Sequence, residues 1–179
     1  QILREGKDIM IRYIILATVA ILGACAEPAD IVLGSDGKPL PRLYRISASD
    51  DARILYNMAD GINALRRRSG LAPVAINPYL NASAATHARD MAVQNRPWHF
   101  GSDGSSPLQR LERVGYQGTL IGEAISETYE TENETLAAWI ADPKSRTIIL
   151  DKTASEMGFS WFQEPNGKIW WMLVVGRGQ

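Results

Sequence analysis

The chain has 179 residues with 19 lysines and arginines against 20 aspartates and glutamates, and this formal net charge of −1 gives nucleic acid and anionic lipid no electrostatic hold on it. One cysteine excludes an internal disulfide framework, and two histidines, His87 and His99, exclude a three-histidine zinc site. Histidine is the side chain most readily recruited for proton transfer near neutral pH, so the available chemistry is narrow and centres on these two positions.

In chain order, Met10-Ile11-Arg12-Tyr13 and the uncharged run Ile14 to Ala24 read as a secretory signal peptide starting at Met10, within a leader of residues 1–24. The run is shorter than the roughly 20 apolar residues a membrane span needs. Leu22-Gly23-Ala24-Cys25 resembles the bacterial lipobox, in which the cysteine becomes the lipidated first residue of the mature protein. Cys25 is therefore the expected lipidation site, and the membrane, through that lipid, an expected partner; an ordinary signal peptide with a buried cysteine nearby is the alternative. Ala26 stands where an aspartate would, by analogy, retain a lipoprotein at the inner membrane. Removing the leader takes away Arg4, Lys7, Arg12, Glu5 and Asp8, moving the formal net charge from −1 to −2. Residues 25–49, with Pro28, Gly34, Gly37, Pro39 and Pro41, read as a tether carrying one short strand at Ile31-Val32-Leu33.

From Asp50 to the C-terminus, about 130 residues suffice for one domain with one core. Leu55, Met58, Ile62 and Leu65 lie at helical spacing, with Ser49 or Asp50 as cap and Gly70 past the end. Asn77-Pro78 starts a second helix whose Ala84, Ala85, Ala88 and Ala92 permit close approach of a neighbour, and which carries His87 as a partly buried, structural histidine. Ser106-Pro107 starts a third, with Leu108, Leu111 and Val114 inward and Gly115 as its stop. Thr131 to Glu134 forms a capping box for a fourth helix, carrying Leu136, Trp139 and Ile140.

Strands are expected at Thr119–Ile125, Met157–Gln163 and Ile169–Val175, the last two joined by the turn Pro165-Asn166-Gly167. The acidic run Glu123, Glu127, Glu130, Glu132 and Glu134, with Tyr129 inside it, reads as a solvated segment in which Glu132 and Glu134 complement a helix start. Trp161, Phe162, Trp170 and Trp171 cluster on the hairpin; adjacent strand residues face opposite ways, so Trp170 and Trp171 either both pack in the core or leave one partly exposed to a ligand. Helices followed by a closing hairpin argue for an α+β sandwich.

One ordered set of motifs now stands in the sequence: Asn63-x-x-Arg66, Gly70-Leu71-Ala72-Pro73, Leu80-x-x-x-Ala84-x-x-His87-Ala88-x-x-Met91-Ala92, His99-x-Gly101-Ser102-Asp103-Gly104, Arg113-x-Gly115-Tyr116, Gly122-Glu123 and Trp170-Trp171. Together they resemble the CAP superfamily (cysteine-rich secretory protein, antigen 5, pathogenesis-related) in its cysteine-poor bacterial form, over residues 50–179. The resemblance implies a three-layer α-β-α sandwich with a shallow central cleft. In that family the cleft gathers two histidines and two glutamates, sometimes around a divalent metal. His99 matches the first histidine and Glu123 the glutamate of the Gly-Glu-Asn motif, with Ala124 in place of the asparagine. Ser145 stands in the second histidine's place, and Asp142 aligns loosely with the second glutamate.

These departures set the functional expectation. Catalytic zinc usually takes three protein ligands, and His99 and Glu123 supply two, so no cofactor and at most a weakly held divalent metal are expected. The resemblance and the leader imply an exported, lipid-anchored domain binding a lipid, glycan or peptide of the bacterial cell envelope, with no nucleic-acid partner. The alternative is a peptidase or esterase using His99 and Glu123, with Ser145 as the available nucleophile, although Ser145 lacks a Gly-x-Ser-x-Gly context.

Overall fold

A computed structural model of the protein describes residues 44–128 and 130–179. The leader, Cys25, the strand expected at Ile31-Val32-Leu33 and Tyr129 lie outside the described residues. Tyr44 to Ser47, at the end of the segment read as tether, are hydrogen-bonded to the domain: Ile46 N–H donates to Gln163 Oε1 and Gln163 Nε2–H to the Tyr44 carbonyl.

The first helix, α1 (Asp51–Arg68), follows one 3-10 turn, Ala48–Asp50. Asp50 holds the cap position, but its carboxylate turns back to accept from the Ser47 amide and hydroxyl. The face that α1 buries is Ile54, Met58, Ile62 and Arg66. Leu55 and Leu65, expected inward, are half-buried at the rim of that stripe. The helix is turned so that Arg66 enters the core, where four backbone carbonyls meet it: those of Ala72, Ile149, Asp151 and Ala154, at 2.8 to 3.1 Å. Burial pushes the guanidinium pKa down, and these charge-assisted bonds offset the desolvation.

The second helix, α2 (Pro78–Gln94), begins as expected, with Asn77 Oδ1 accepting from the amides of Tyr79 and Leu80. It ends at Asn95, which takes the left-handed conformation at φ +50°. The third, α3 (Pro107–Val114), is closed by a Ser106–Gln109 capping box. Its inward residues are Arg110 and Leu111, whereas Leu108, expected inward, is exposed. The fourth, α4 (Glu132–Ala141), has the predicted Thr131–Glu134 capping box, and α5 (Pro143–Ile149) follows directly, capped by Asp142. Glu132, expected in solvent, is buried because three donors converge on it: Tyr44 Oη, Asn57 Nδ2 and Arg53.

Four strands form one sheet: β1 (Ala75–Ile76), β2 (Thr119–Thr128), β3 (Glu156–Gln163) and β4 (Ile169–Arg177), in the order β1-β3-β4-β2. The β1–β3 pair is parallel and the other two antiparallel. The hairpin turns through Gly167 at φ +99°. Eight successive residues of β4, Ile169 to Gly176, are buried, as a central strand covered on both faces requires. Its side chains alternate between two cores. Trp171, Leu173 and Val175 pack with α1, α4 and α5, while Trp170, Met172 and Val174 pack with α2 and α3. Both tryptophans are therefore core residues, and the three-layer α-β-α sandwich follows. At Gly158 a side chain would collide with the Leu80 and Asn81 backbone, so this glycine lets the start of α2 lie directly on β3.

Candidate functional site

The site is assembled on β2, an edge strand, and on the loop between α2 and α3. Along β2 a bulge between Leu120 and Gly122 interrupts the register with β4. It places Ile121 and Gly122 both on the α1/α4/α5 side, where Ile148 fills the space at Gly122. Alternation then resumes, so Ala124 faces the same core and Glu123 faces α2 and α3. Without the bulge, Glu123 would point into the opposite layer.

On that side Glu123 is almost wholly buried, with 2% of its side chain exposed, and meets Arg110 of α3. Arg110 Nη2 donates to both carboxylate oxygens, at 2.8 and 3.0 Å. Nη1 of the same guanidinium donates to the His99 carbonyl at 2.8 Å, so one arginine fixes both the carboxylate and the loop backbone that carries the imidazole. The His99 side chain is 49% exposed, and its Nδ1–H donates to Glu123 Oε2 at 3.2 Å. An ionised carboxylate only accepts hydrogen bonds, so Nδ1 carries the proton and Nε2 is the ring nitrogen not engaged by Glu123.

The loop is wound tightly enough to hold this geometry. Gly101 N–H donates to the Ser105 carbonyl and Gly104 N–H to the Gly101 carbonyl, with Gly104 at φ +79°. A Cβ at Gly101 would sit 2.5 Å from Ser105 Oγ and 2.6 Å from Asp103 Oδ1, so a larger residue would push those side chains aside. Asp90 Oδ2 accepts from the Ser102 amide at 2.7 Å, tying the loop to α2. Asp103 accepts from the Ser105 amide and pairs with Arg113, and its carboxyl pKa lies well below the usual range, chiefly through Ser105. His87 is buried, and its Nε2–H donates to the Trp98 carbonyl at 2.7 Å. Trp98 and Phe100 flank His99, 40% and 45% exposed, their ring centroids 5.6 Å apart, with Arg96 stacked on Trp98 at 4.0 Å.

The other two positions singled out in the sequence are joined to each other. Asp142 Oδ2 accepts from the Ser145 amide at 2.9 Å and from the Ser145 hydroxyl at 2.8 Å, capping α5. Helix α5 packs on the face of β2 that bears Gly122 and Ala124, whereas Glu123 belongs to the other face. The structure thus brings His99 together with Glu123, and Asp142 with Ser145, as two separate pairs. Among the described residues, no three histidine, cysteine, aspartate or glutamate side chains converge on one point. With both Glu123 oxygens held by Arg110, the donor set does not fit a divalent metal. Glu127 meets Lys168 at 2.6 Å.

Arg110 was not singled out in the sequence because arginine is seldom fully buried. Its signal was present: Arg110, Leu111 and Val114 share one helical face as well as Leu108, Leu111 and Val114 do. A cavity of about 560 Å³ lined by Asp51, Leu55, Arg89 and Trp161 among others contains none of the residues of this site.

A profile of the cysteine-rich secretory protein family, CAP, matches residues 59–175. The uncharacterized protein YkwD of Bacillus subtilis (strain 168) is 28% identical over 115 residues, covering 64% of this chain and 44% of that protein. An extracellular protein containing an SCP domain from Bacillus anthracis superposes with a TM-score of 0.64 at 18% identity, covering 75% of this chain and 45% of the other. An outer surface protein from Borrelia burgdorferi gives 0.62 at 16% identity, covering 77% of this chain and 100% of that one. The chain thus spans less than half of the two Bacillus proteins. At these identities the structural likeness is one of fold.

Proposed function

Because the chain belongs to the CAP, or cysteine-rich secretory protein, family, we propose that it is an exported binding module, anchored through Cys25 and presenting the His99 rim to a lipid, glycan or peptide of the bacterial cell envelope. The observation that carries this reading is the mounting of His99. A half-exposed imidazole rests on a buried Glu123–Arg110 pair, and its chain neighbours Trp98 and Phe100 carry exposed rings that meet each other. Exposed aromatics beside a fixed polar group form a surface suited to recognition, since each ring contributes apolar contact at low entropic cost. The two structural relatives, an extracellular protein and an outer surface protein, support an extracytoplasmic setting. The lipobox-like Leu22-Gly23-Ala24-Cys25 supports the anchor.

Trp98 is the natural reporter, because Trp139, Trp170 and Trp171 are buried and Trp161 is half-buried. Acrylamide quenching of the full chain is expected to fall on adding purified peptidoglycan fragments or phospholipid vesicles, and Trp98→Phe to abolish that protection. Quenching unchanged by both additions would overturn the binding role. Radiolabelled palmitate incorporated by the wild type and absent in Cys25→Ser tests the anchor separately.

A hydrolase is the second reading, favoured by an imidazole whose Nδ1–H is held by a carboxylate and whose Nε2 that carboxylate leaves free. Ser145 is not aligned as its nucleophile, since the Ser145 hydroxyl donates to Asp142. Peptidase or esterase activity lost in both His99→Ala and Ser145→Ala would put this reading in place of the first.

A further inference from the structure

Strand β3 is covered along only part of its outer edge. β4 pairs with all of it, from Glu156 to Gln163, whereas β1 meets only Glu156 and Met157. Two hydrogen bonds fix which way its backbone groups point. Asn77 N–H donates to the Met157 carbonyl on the β1 side, and Glu164 N–H to the Lys168 carbonyl across the hairpin. Backbone groups alternate along a paired strand, so Phe159, Trp161 and Gln163 turn theirs toward the side that β1 leaves uncovered. There the Phe159 amide donates to Asn81 Oδ1. Among the described residues, nothing on that side meets the Phe159 carbonyl or either backbone group of Trp161.

This edge opens into the cavity of about 560 Å³. Phe159 and Trp161 line it from the face of β3 turned to α1, and Phe162 from the face turned to α2, so the cavity straddles the edge. Leu55 of α1 forms one wall, and Ala82 and Ala85 of α2 the other. Its two charged lining residues, Asp51 and Arg89, are of opposite sign, so the groove favours no ion. An uncovered edge is a liability that proteins cover. What completes it is an extended segment whose own backbone groups extend the ladder and whose apolar side chains meet the two walls.

The chain itself supplies such a segment. Tyr44 and Ile46 are hydrogen-bonded to the Gln163 side chain, at the end of this same edge. The strand expected at Ile31-Val32-Leu33 is apolar and uncharged, and ten residues, 34–43, join it to Tyr44. Extended, those ten reach about 34 Å, and the edge from Phe159 to Gln163 is only about 14 Å long. Because α1 and α2 wall the edge on both faces, a single strand enters between them, whereas a second copy would bring its own α1 and α2 against them.

We propose that Ile31-Val32-Leu33 docks along the uncovered edge of β3 and adds a strand to the sheet. The docking rests on the domain alone and holds with or without lipid at Cys25. Under the anchor proposed above it also sets the reach of the domain. Five residues, 26–30, then separate Cys25 from the sheet in place of 18, residues 26–43. Extended, that is about 17 Å rather than about 60 Å.

Amide hydrogen exchange of the full chain, read residue by residue by nuclear magnetic resonance, tests the docking. The Trp161 amide is expected to exchange slower by about tenfold or more in the wild type than in the double variant Ile31→Pro with Val32→Pro. Whichever of those two residues faces β3, the double change removes a ladder donor. The Phe162 amide, turned toward β4, should stay protected in both chains and reports that the domain is folded. Ile31→Val with Val32→Ile keeps the backbone donors and should keep the Trp161 protection. A Trp161 amide that exchanges freely in the wild type, or one equally protected in the proline variant, would overturn the proposal. So would protection that grows with protein concentration alongside a dimer in sedimentation, since the edge would then belong to a second copy.

Discussion

Two arginines are buried among the described residues, one in each layer of the sandwich, and they do different work. Arg66, from α1, ends among four backbone carbonyls and touches no carboxylate; its charge closes the structure where the chain returns between α5 and β3. Arg110, from α3, is held by a carboxylate and by the carbonyl of an exposed histidine, and it lines a cavity. The first is saturated by main chain and points to nothing outside. The second links surface, buried carboxylate and cavity. A buried cation is thus a site only where some of its donors, or its partners, reach beyond the core.

The sharpest way to break this contrast is Arg66→Met. Leaving four backbone carbonyls without their donor, those of Ile149 and Ala154 buried, should lower unfolding stability by about 4 kcal/mol or more, read from urea denaturation. A loss under 1 kcal/mol would show that those carbonyls find other partners. Glu123→Gln comes next, at about 3 kcal/mol, because the Arg110 charge is left buried without its counter-charge. Changing both together, Arg110→Met with Glu123→Leu, should restore much of that loss. A double-mutant cycle that shows simple additivity would refute the pairing. Removing Arg66 should leave the His99 resonances in place, whereas removing Glu123 should shift them.

The third effect is pH-dependent. His87 has a folded-state pKa below its ordinary 6.5, so the unfolded chain binds the proton more readily. Stability should hold above pH 6.5 and fall as pH drops below it toward the folded-state value. His87→Gln should remove that portion of the slope, measured as the difference between pH 7.5 and pH 5. The smallest effect is expected from Trp98→Ala on the exposed rim: stability within about 0.5 kcal/mol of wild type, with acrylamide-accessible emission lost.

Much of the fold was legible in the sequence because its signals are local. Asn77-Pro78, Ser106-Pro107 and Thr131 through Glu134 are caps whose hydrogen bonds span two or three residues, and each appears where it was read. The two-residue β1 carries no periodicity and was invisible. Leu108 and Leu55 misled because an apolar stripe several residues wide leaves a helix free to rotate by one position, and buried arginines took up that freedom. Glu132 misled because acidic residues at a helix start usually face water; here donors from Tyr44, Arg53 and Asn57, at least 75 positions away in the chain, cover it.

For the site, sequence alone determined the family and, through motif order, the pair His99 and Glu123. It determined the cap chemistry that starts each helix near them. Tertiary structure decided which way Glu123 faces, since the bulge at Leu120/Gly122 is a mismatch between two strands and belongs to neither by itself. It also decided that Arg110 meets that carboxylate, and that Ser83, His87 and Arg110 line one cavity. Those facts depend on which layers the sheet brings together, and local residue patterns do not encode that.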